Sequence, residues 1–178
     1  IMGGADLTGA TLTGAKLGGA TLTASAGTKA KLNNALLSKA DLTGADLTGA
    51  TINGADLTCA NLINADLETA DLTGTNLTSA DLTGATLTSI VITATTNLTS
   101  AKLVGANLAN DDLTGVQMAK ADLTGATLTK ATLATAATNL AGANLTNAIM
   151  GGADLTGATI NAVSYTHLRD HETLQDLV

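Results

Sequence analysis

Aliphatic residues recur at every fifth position of this chain. The series runs from Met2 to Ile160 and slips in phase twice, by one residue after Ile92 and by two after Leu133. Of its 32 centres, 31 are Leu, Ile or Met, and Gly27 is the exception. Alanine stands two residues before 24 of 31 centres, and the residue between them is mostly Asp, Asn or Thr. Such a sustained period indicates an internal repeat, which decides the fold before any single element does.

The five-residue period fits neither a helix nor a long strand. A helix needs apolar residues at i, i+3, i+4 and i+7, whereas steps of five drift by about 140° around a helix and form no face. In an extended segment the alanine and the aliphatic centre point to one side, and the polar residue between them points to the other. The two residues that follow are often Thr-Gly or Thr-Ser, which suit a turn. Each unit is therefore predicted to be a short extended step and a corner, and repeated corners coil the chain into a solenoid.

The repeat string A-(D/N)-L-x-x appears twice in residues 40–49 as ADLTGADLTG. It resembles the pentapeptide-repeat proteins, and the resemblance covers residues 1–162. It implies an all-β fold, a right-handed quadrilateral β-helix in which four pentapeptides form each coil and the Leu and Ala side chains fill the interior. The repeats then form about eight coils, which at a strand spacing of about 4.8 Å make a rod of roughly 40 Å.

The composition agrees with a narrow aliphatic interior. Phe, Trp and Pro are absent, so the core has no aromatic ring and no backbone amide is lost to proline. Alanine keeps the interior free of overpacking. Glycines at the predicted corners permit unusual φ; they are Gly9, Gly14, Gly44, Gly49 and Gly74.

Three segments interrupt the repeat. Residues 24–29 keep the frame, so they are either a degenerate unit or a five-residue loop. Residues 93–97 add one residue, and residues 134–139 add two. We interpret the interruptions as bulges at exposed corners. The alternative, a protruding partner-binding loop, normally has an aromatic or arginine anchor, and these segments hold only one charge, Lys29.

Asp111 and Val116 occupy positions where the repeat has an inward alanine. A buried carboxylate is unfavourable unless it is paired. We therefore expect a local distortion that lets Asp111 reach water or a corner amide, rather than a catalytic role. Asp112 is expected to point outwards.

The formal net charge is −7. In combination with the family resemblance, this acidity suggests a specific binding partner. Some pentapeptide-repeat proteins resemble B-form DNA in shape and charge and bind type II topoisomerases such as gyrase. This mimicry needs a continuous negative face. A twenty-residue coil, with the two phase-shifting insertions looped out, places the charged outward residues on four faces. The predicted faces hold Asp6, Asp46 and Asp66; Asp41, Asp81 and Asp122 with Lys102; Asp71, Asp112 and Asp154 with Lys31; and Asp56 with Lys16.

Because these acids are spread over four faces, we favour a non-catalytic scaffold with a structural or protein–protein interaction role. The alternative is an acidic DNA-mimicking protein that binds gyrase. We expect an unknown protein partner rather than direct binding of nucleic acid. Thr-x-Thr steps beginning at Thr11, Thr21, Thr86 and Thr127 raise the possibility of an ice-binding plane. They map to three different faces and never to adjacent coils, so we do not favour it.

No catalytic constellation is visible. Residues 1–162 contain no His, no Arg and one Cys, Cys59, at a predicted outward corner. The many Ser and Thr residues lack a base to activate them. We therefore expect no catalytic residue, no metal site and no cofactor. No apolar run of 18 residues predicts membrane insertion, and the absence of a Cys pair favours a reducing compartment such as the cytoplasm.

Both ends of the chain differ from the middle of the array. Residues 1–12 nearly duplicate residues 149–160, so we expect a fragment of a longer array that lacks its N-terminal cap. Residues 163–178 leave the repeat and contain the only Tyr, the only Arg and both His. Three interpretations stay open: a helical cap, a metal site on His167 and His171, and an artefact. The last rests on SYTHLRDHET, which resembles translated sequencing-adapter DNA.

Overall fold

The computed structural model describes residues 4–22, 29–161 and 163–164. Within these ranges the chain forms no helix and no strand longer than a single bridge residue. In residues 51–55, for example, Thr51 forms a parallel bridge, Ile52 turns inwards, Asn53 and Gly54 form a turn, and Ala55 leads into the next unit. Each pentapeptide is thus one extended step and one corner, as the period predicts.

The bridges arrange the chain as a four-sided solenoid. Successive bridge residues along the chain belong to four separate ladders, and each ladder joins one coil to the next, as in Asp46 to Asp66. We call the four ladders faces 1 to 4. Face 1 contains Asp6, Lys31, Thr51, Asp71, Val91, Asp112, Thr132 and Asp154, and these residues number coils 1 to 8. Face 2 contains Thr11, Leu36, Asp56, Asn76, Asn97, Gln117, Asn139 and Thr159. Face 3 contains Lys16, Asp41, Asn61, Asp81, Lys102, Asp122, Asn144 and Ser164. Face 4 contains Thr21, Asp46, Asp66, Thr86, Asn107, Thr127 and Ile149.

Backbone hydrogen bonds connect each coil to both neighbours. The Leu62 N–H donates to the Asp81 carbonyl of the next coil at 2.7 Å, and the Asp81 N–H donates to the Ala60 carbonyl at 2.9 Å. The Ala65 N–H closes the corner by donating to the Leu62 carbonyl at 3.0 Å. Pairing between coils therefore uses the donors and acceptors that an isolated extended unit would leave unsatisfied.

The core is a continuous aliphatic column. The Leu and Met centres from Leu98 to Leu155 are nearly inaccessible to solvent, and most of the alanines that precede the centres are buried as well. Leu7, Leu12 and Leu17 in coil 1 are only partly buried. Burial is therefore shallower in the first three units of coil 1 than in the coils that follow.

The corners adopt a left-handed backbone whichever residue occupies them. Gly44 has φ 61° and Gly74 has φ 68°, which confirms the predicted role of the corner glycines, including Gly9, Gly14 and Gly49. Cys59, with φ 58°, and Lys39, with φ 60°, take the same conformation without being glycine. The bonding of the corner thus imposes the conformation, and glycine only makes it less strained.

The three interruptions change the register between coils. Bridges across residues 23–28 join positions 25 apart, as in Asp6 to Lys31, so this segment adds five residues to the usual twenty. The second insertion gives a separation of 21, as in Asp81 to Lys102, and the third gives 22, as in Asp122 to Asn144. Both of these insertions lie at a corner, as predicted. Residues 23–28, with Gly27, lie outside the described residues.

The ends of the chain are described only in part. Face 3 continues to Ser164, which bridges Asn144. Met2 lies outside the described residues, as do residues 165–178, on which the predictions of a cap, a metal site and an adapter-like string fall. In the described part of the chain no helix has the length and apolar character needed to cross a membrane.

Candidate functional site

The outward side chains of the faces are fixed by short-range hydrogen bonds. Asp41 Oδ1 accepts hydrogen bonds from the Thr43 N–H at 3.1 Å and from the Thr43 hydroxyl at 2.6 Å. These two bonds hold the pKa of Asp41 below its ordinary value, with a smaller contribution from Lys16. An Asp or Asn bonds in the same way to the residue two positions later at many other units, among them Asp6, Asp46, Asp71, Asn76, Asp81, Asp122 and Asn144. The surface is therefore a preorganised polar lattice.

Asp56 accepts three such bonds, one of them from the neighbouring coil. The Ser38 hydroxyl of the neighbouring coil donates to its Oδ2 at 2.6 Å, and the hydroxyl and N–H of Thr58 donate to its Oδ1. The bonds from Ser38 and then Thr58 lower the pKa of Asp56, while burial raises it less.

We expect Asp56→Asn to destabilise the protein at neutral pH by less than about 1 kcal/mol, because solvent screens a partly exposed carboxylate. Because the pKa of Asp56 is lower in the folded state, its carboxylate stabilises the fold at pH values above its ordinary pKa of 3.8. This stabilisation is lost as the pH falls through the folded-state pKa. Urea unfolding should therefore show a difference from wild type at about pH 6 that disappears in strong acid. A difference that is constant over the whole pH range would contradict the assignment.

The register corrects the predicted charge map. Asp6 lies on face 1 with Lys31, not with Asp46 and Asp66, and Lys16 lies on face 3 with Asp41, not with Asp56. The cause is the first interruption, which shifts coil 1 by one face relative to the rest of the array.

Two lysines pair with acids inside the ladders. Lys31 Nζ lies 3.5 Å from Asp6 Oδ2 on face 1, and Lys102 Nζ lies 3.2 Å from Asp81 Oδ2 on face 3. Face 2 has one acid, Asp56. The corrected map thus has no uninterrupted acidic ladder over the described coils. The same shift places the Thr-x-Thr steps on two faces rather than three, with Thr21, Thr86 and Thr127 on face 4, and no two of them are in adjacent coils.

The second and third insertions lie on the same edge of the solenoid, between faces 1 and 2. They widen the corner in coils 5 and 7, and the normal corner of coil 6, at Gly115, lies between them. A Cβ added to Gly115 would lie 2.6 Å from the Cβ of Ala94 and 3.7 Å from that of Ala137. Ala94 and Ala137 are exposed on the outer side.

Threonine hydroxyls supply hydrogen-bond acceptors for backbone N–H groups at these widened corners. The Thr138 hydroxyl accepts a 2.7 Å bond from the Gly115 N–H, and the Thr96 hydroxyl accepts a 3.2 Å bond from the Gly74 N–H. At many other corners the corresponding N–H donates to a carbonyl of the next coil, as Gly84 does to Val104 at 2.8 Å. The role of Thr96 and Thr138 was not predicted from the sequence, although at both positions a hydroxyl-bearing residue replaces the usual alanine directly after an insertion.

Val116 fits the same edge. It lies between Thr96 and Thr138 in the stack of inward side chains, where its neighbours are β-branched and of similar size, and it is fully buried. The larger side chain is therefore accommodated where the corners on both sides are widened.

We expect Thr138→Val to lower the free energy of unfolding by about 1–3 kcal/mol, because it keeps the side-chain shape and leaves the buried Gly115 N–H without an acceptor. Thr132→Val, on the outer side of face 1 in the same coil, is the matched control and should change stability little. Denaturant unfolding with unchanged slope measures both. Equal effects of the two substitutions would show that the hydroxyl at position 138 has no special role.

Asp111 is almost completely buried, with 3% of its surface exposed, and Asp112 is exposed. The prediction for Asp112 is thus confirmed. Of the two alternatives predicted for Asp111, water or a corner amide, the structure supports the second: the carboxyl approaches the corner amides of Ser89 and Ile90.

Among the described residues no three His, Cys, Asp or Glu side chains form a group that could hold a metal ion. Cys59 is a free, exposed cysteine at a corner. His167 and His171 lie outside the described residues.

A protein-family model described as "Pentapeptide repeats" matches the chain in eight copies, over residues 1–25, 28–61, 53–88, 96–133 and 137–162. The residues that it leaves out between these matches, 26–27, 89–95 and 134–136, lie within or beside the three interruptions. No curated protein matches the chain.

One solved structure is also a pentapeptide repeat protein. The chain is 35% identical to HetL from the cyanobacterium Nostoc sp. strain PCC 7120, described as a pentapeptide repeat protein involved in heterocyst differentiation regulation. That match covers 90% of this chain and 68% of HetL, with a TM-score of 0.66. A trypsin-treated form of QnrB1, described as a plasmid-mediated fluoroquinolone resistance protein, is 23% identical over 91% of this chain and 77% of its own, with a TM-score of 0.44.

Proposed function

We propose, from the premise that the chain belongs to the pentapeptide-repeat family, that it is a non-catalytic scaffold that binds a protein partner through its outer faces. The observation that carries this proposal is the fixed outer lattice, in which Asp and Asn side chains are held by the backbone and hydroxyl groups of their own units. Such groups lose little conformational entropy when a partner binds, so a preorganised surface favours recognition. No three His, Cys, Asp or Glu side chains of the described residues could together hold a catalytic metal ion.

The finer architecture belongs to the same proposal. We assign residues 1–162 to the solenoid, with face 3 continuing to Ser164, and give the coil the right-handed, quadrilateral β-helical form that the family implies. Four ladders with a basic register of twenty residues support the four-sided form.

Topoisomerase binding by DNA mimicry is the second hypothesis, and its support is the net charge of −7. The corrected faces argue against it, because Lys31 and Lys102 pair with acids within the two faces that hold most of the carboxylates. A gyrase supercoiling assay discriminates the two. We expect no inhibition, and strong inhibition at low micromolar concentration would replace the scaffold proposal with the topoisomerase hypothesis.

The scaffold proposal is tested by photo-crosslinking from each face in turn. A photoreactive amino acid replaces Thr132 on face 1, Asn97 on face 2, Asn61 on face 3 or Asn107 on face 4, all in inner coils. In extracts of the source organism, we expect protein adducts from one or two faces, resistant to nuclease and suppressed by excess unmodified chain. Adducts that disappear with nuclease, or equal labelling from all four faces, would contradict a specific protein-binding face.

A further inference from the structure

The stack of coils has a gap at one place. Within the described residues, faces 2, 3 and 4 have a bridge at every step between adjacent coils, and face 1 has every bridge but one. The exception is the step from Val91 in coil 5 to Asp112 in coil 6. The Ile92 N–H does not donate to Asp112, and the Asp112 N–H does not donate to Ile90, although the equivalent donors in other coils make these bonds. Coils 5 and 6 are thus joined on three sides and unjoined on the fourth.

Two consecutive large side chains explain the gap. The inward column that precedes face 1 is alanine in coils 1 to 4, 7 and 8, but it is Ile90 in coil 5 and Asp111 in coil 6. Each side chain needs more room than the alanine that the narrow interior accommodates, and overpacking is relieved by a backbone shift. Val91, with 51% of its surface exposed, marks the outer side of the gap.

The Asp111 carboxyl occupies this space and is incompletely satisfied. Its polar neighbours are the backbone N–H groups of Ser89 and Ile90. In the coil before, the corresponding N–H groups of Thr69 and Ala70 donate to the carbonyls of Thr88 and Leu67. The second oxygen, Asp111 Oδ2, is buried without a partner.

No charge compensates this carboxyl. The facing segment of coil 5, residues 89–92, has no ionisable side chain. Asp112 follows in coil 6 and Lys130 precedes the adjoining segment of coil 7, but both are exposed. Burial raises the pKa of Asp111 to about 7, with the N–H groups of Ile90 and then Ser89 opposing the rise.

We propose that the junction between coils 5 and 6 is a pH-sensitive hinge, which opens on face 1 when Asp111 ionises. The ionised carboxylate is expelled towards water through the side that already lacks ladder bonds, and faces 2, 3 and 4 keep the coils attached. In the closed state the Asp111 carboxyl keeps its proton up to about pH 7, whereas in the open state it has its ordinary pKa of 3.8. The population of the open state therefore increases as the pH rises and becomes constant above about pH 7.

Hydrogen exchange of the intact chain tests this proposal. The reporters are the amides of Ser89 and Ile90, and the matched controls are those of Thr69 and Ala70 at the same corner one coil earlier. After correction for intrinsic exchange, we expect protection of the reporters to fall about tenfold per pH unit from about pH 5 to 7 and then to level off. The controls should not follow this profile, and Asp111→Asn should abolish it.

Three outcomes would overturn the hinge. One is the same pH profile in Asp111→Asn. The second is an equal loss of protection at the control amides, which indicates global destabilisation. The third, measured in the wild-type chain and therefore independent of how the variant folds, is a carboxyl carbon titration of Asp111 with its midpoint near 3.8 rather than near 7.

Discussion

Gly115→Ala is expected to lower the free energy of unfolding by about 2–4 kcal/mol. Part of this is the left-handed backbone, φ 79° at Gly115, which disfavours any side chain by about 1 kcal/mol or more. The remainder is steric, because the new Cβ would lie 2.6 Å from the Cβ of Ala94 in the widened corner of coil 5. Thermal or urea unfolding measures the change.

Two variants separate these contributions. Gly125→Ala has the same backbone strain, with φ 64°, and no atom within 4 Å of the added Cβ, so it should show the backbone part alone. Ala94→Gly in the Gly115→Ala background removes the clash and should recover most of the difference. Additive effects of Gly115→Ala and Ala94→Gly would be inconsistent with direct contact between the insertion and coil 6.

Leu103→Ala is expected to destabilise the protein by about 2–5 kcal/mol. Leu103 is completely buried in coil 5, with coils on both sides, so removing its side chain leaves a cavity that the stacked backbone can fill only by breaking ladder bonds. Denaturant unfolding at constant slope is the measurement.

Leu12→Ala in coil 1 is the matched control. Leu12 is only partly buried, so its truncation should have a clearly smaller effect. Equal losses at the two positions would contradict a stability that depends on neighbours on both sides.

The sequence predicted the interior and the corners well. A single rule, an aliphatic centre with alanine two residues before it, identified the buried column, because an extended step places both side chains on one side. It also located both phase-shifting insertions and the unusual positions of Asp111 and Val116. The hydroxyls of Thr96 and Thr138 were missed because their role depends on which amide of the preceding coil comes to lie beside them.

Asp111 is a second case in which a contact between coils could not be predicted from the sequence. Its position predicted a distortion near a corner amide, and the structure places it at the amides of Ser89 and Ile90. The sequence did not predict that Ile90 lies directly beside it in the inward column, 21 residues earlier. The bridge on face 1 is lost only because the stacked coils place Ile90 and Asp111 next to each other.

The sequence alone determined the repeat, its aliphatic interior and its turn-forming corners, since these depend on residues within one pentapeptide. Which outer residues share a face depends instead on how the coils stack. An insertion of five residues, as between Thr21 and Lys31, leaves the five-residue phase unchanged but rotates all that precedes it by one side of a four-sided coil. The faces, the pairing of Lys31 with Asp6, and the alignment of Ile90 with Asp111 therefore follow from the number of residues in each coil, which the stacking of the ladders sets.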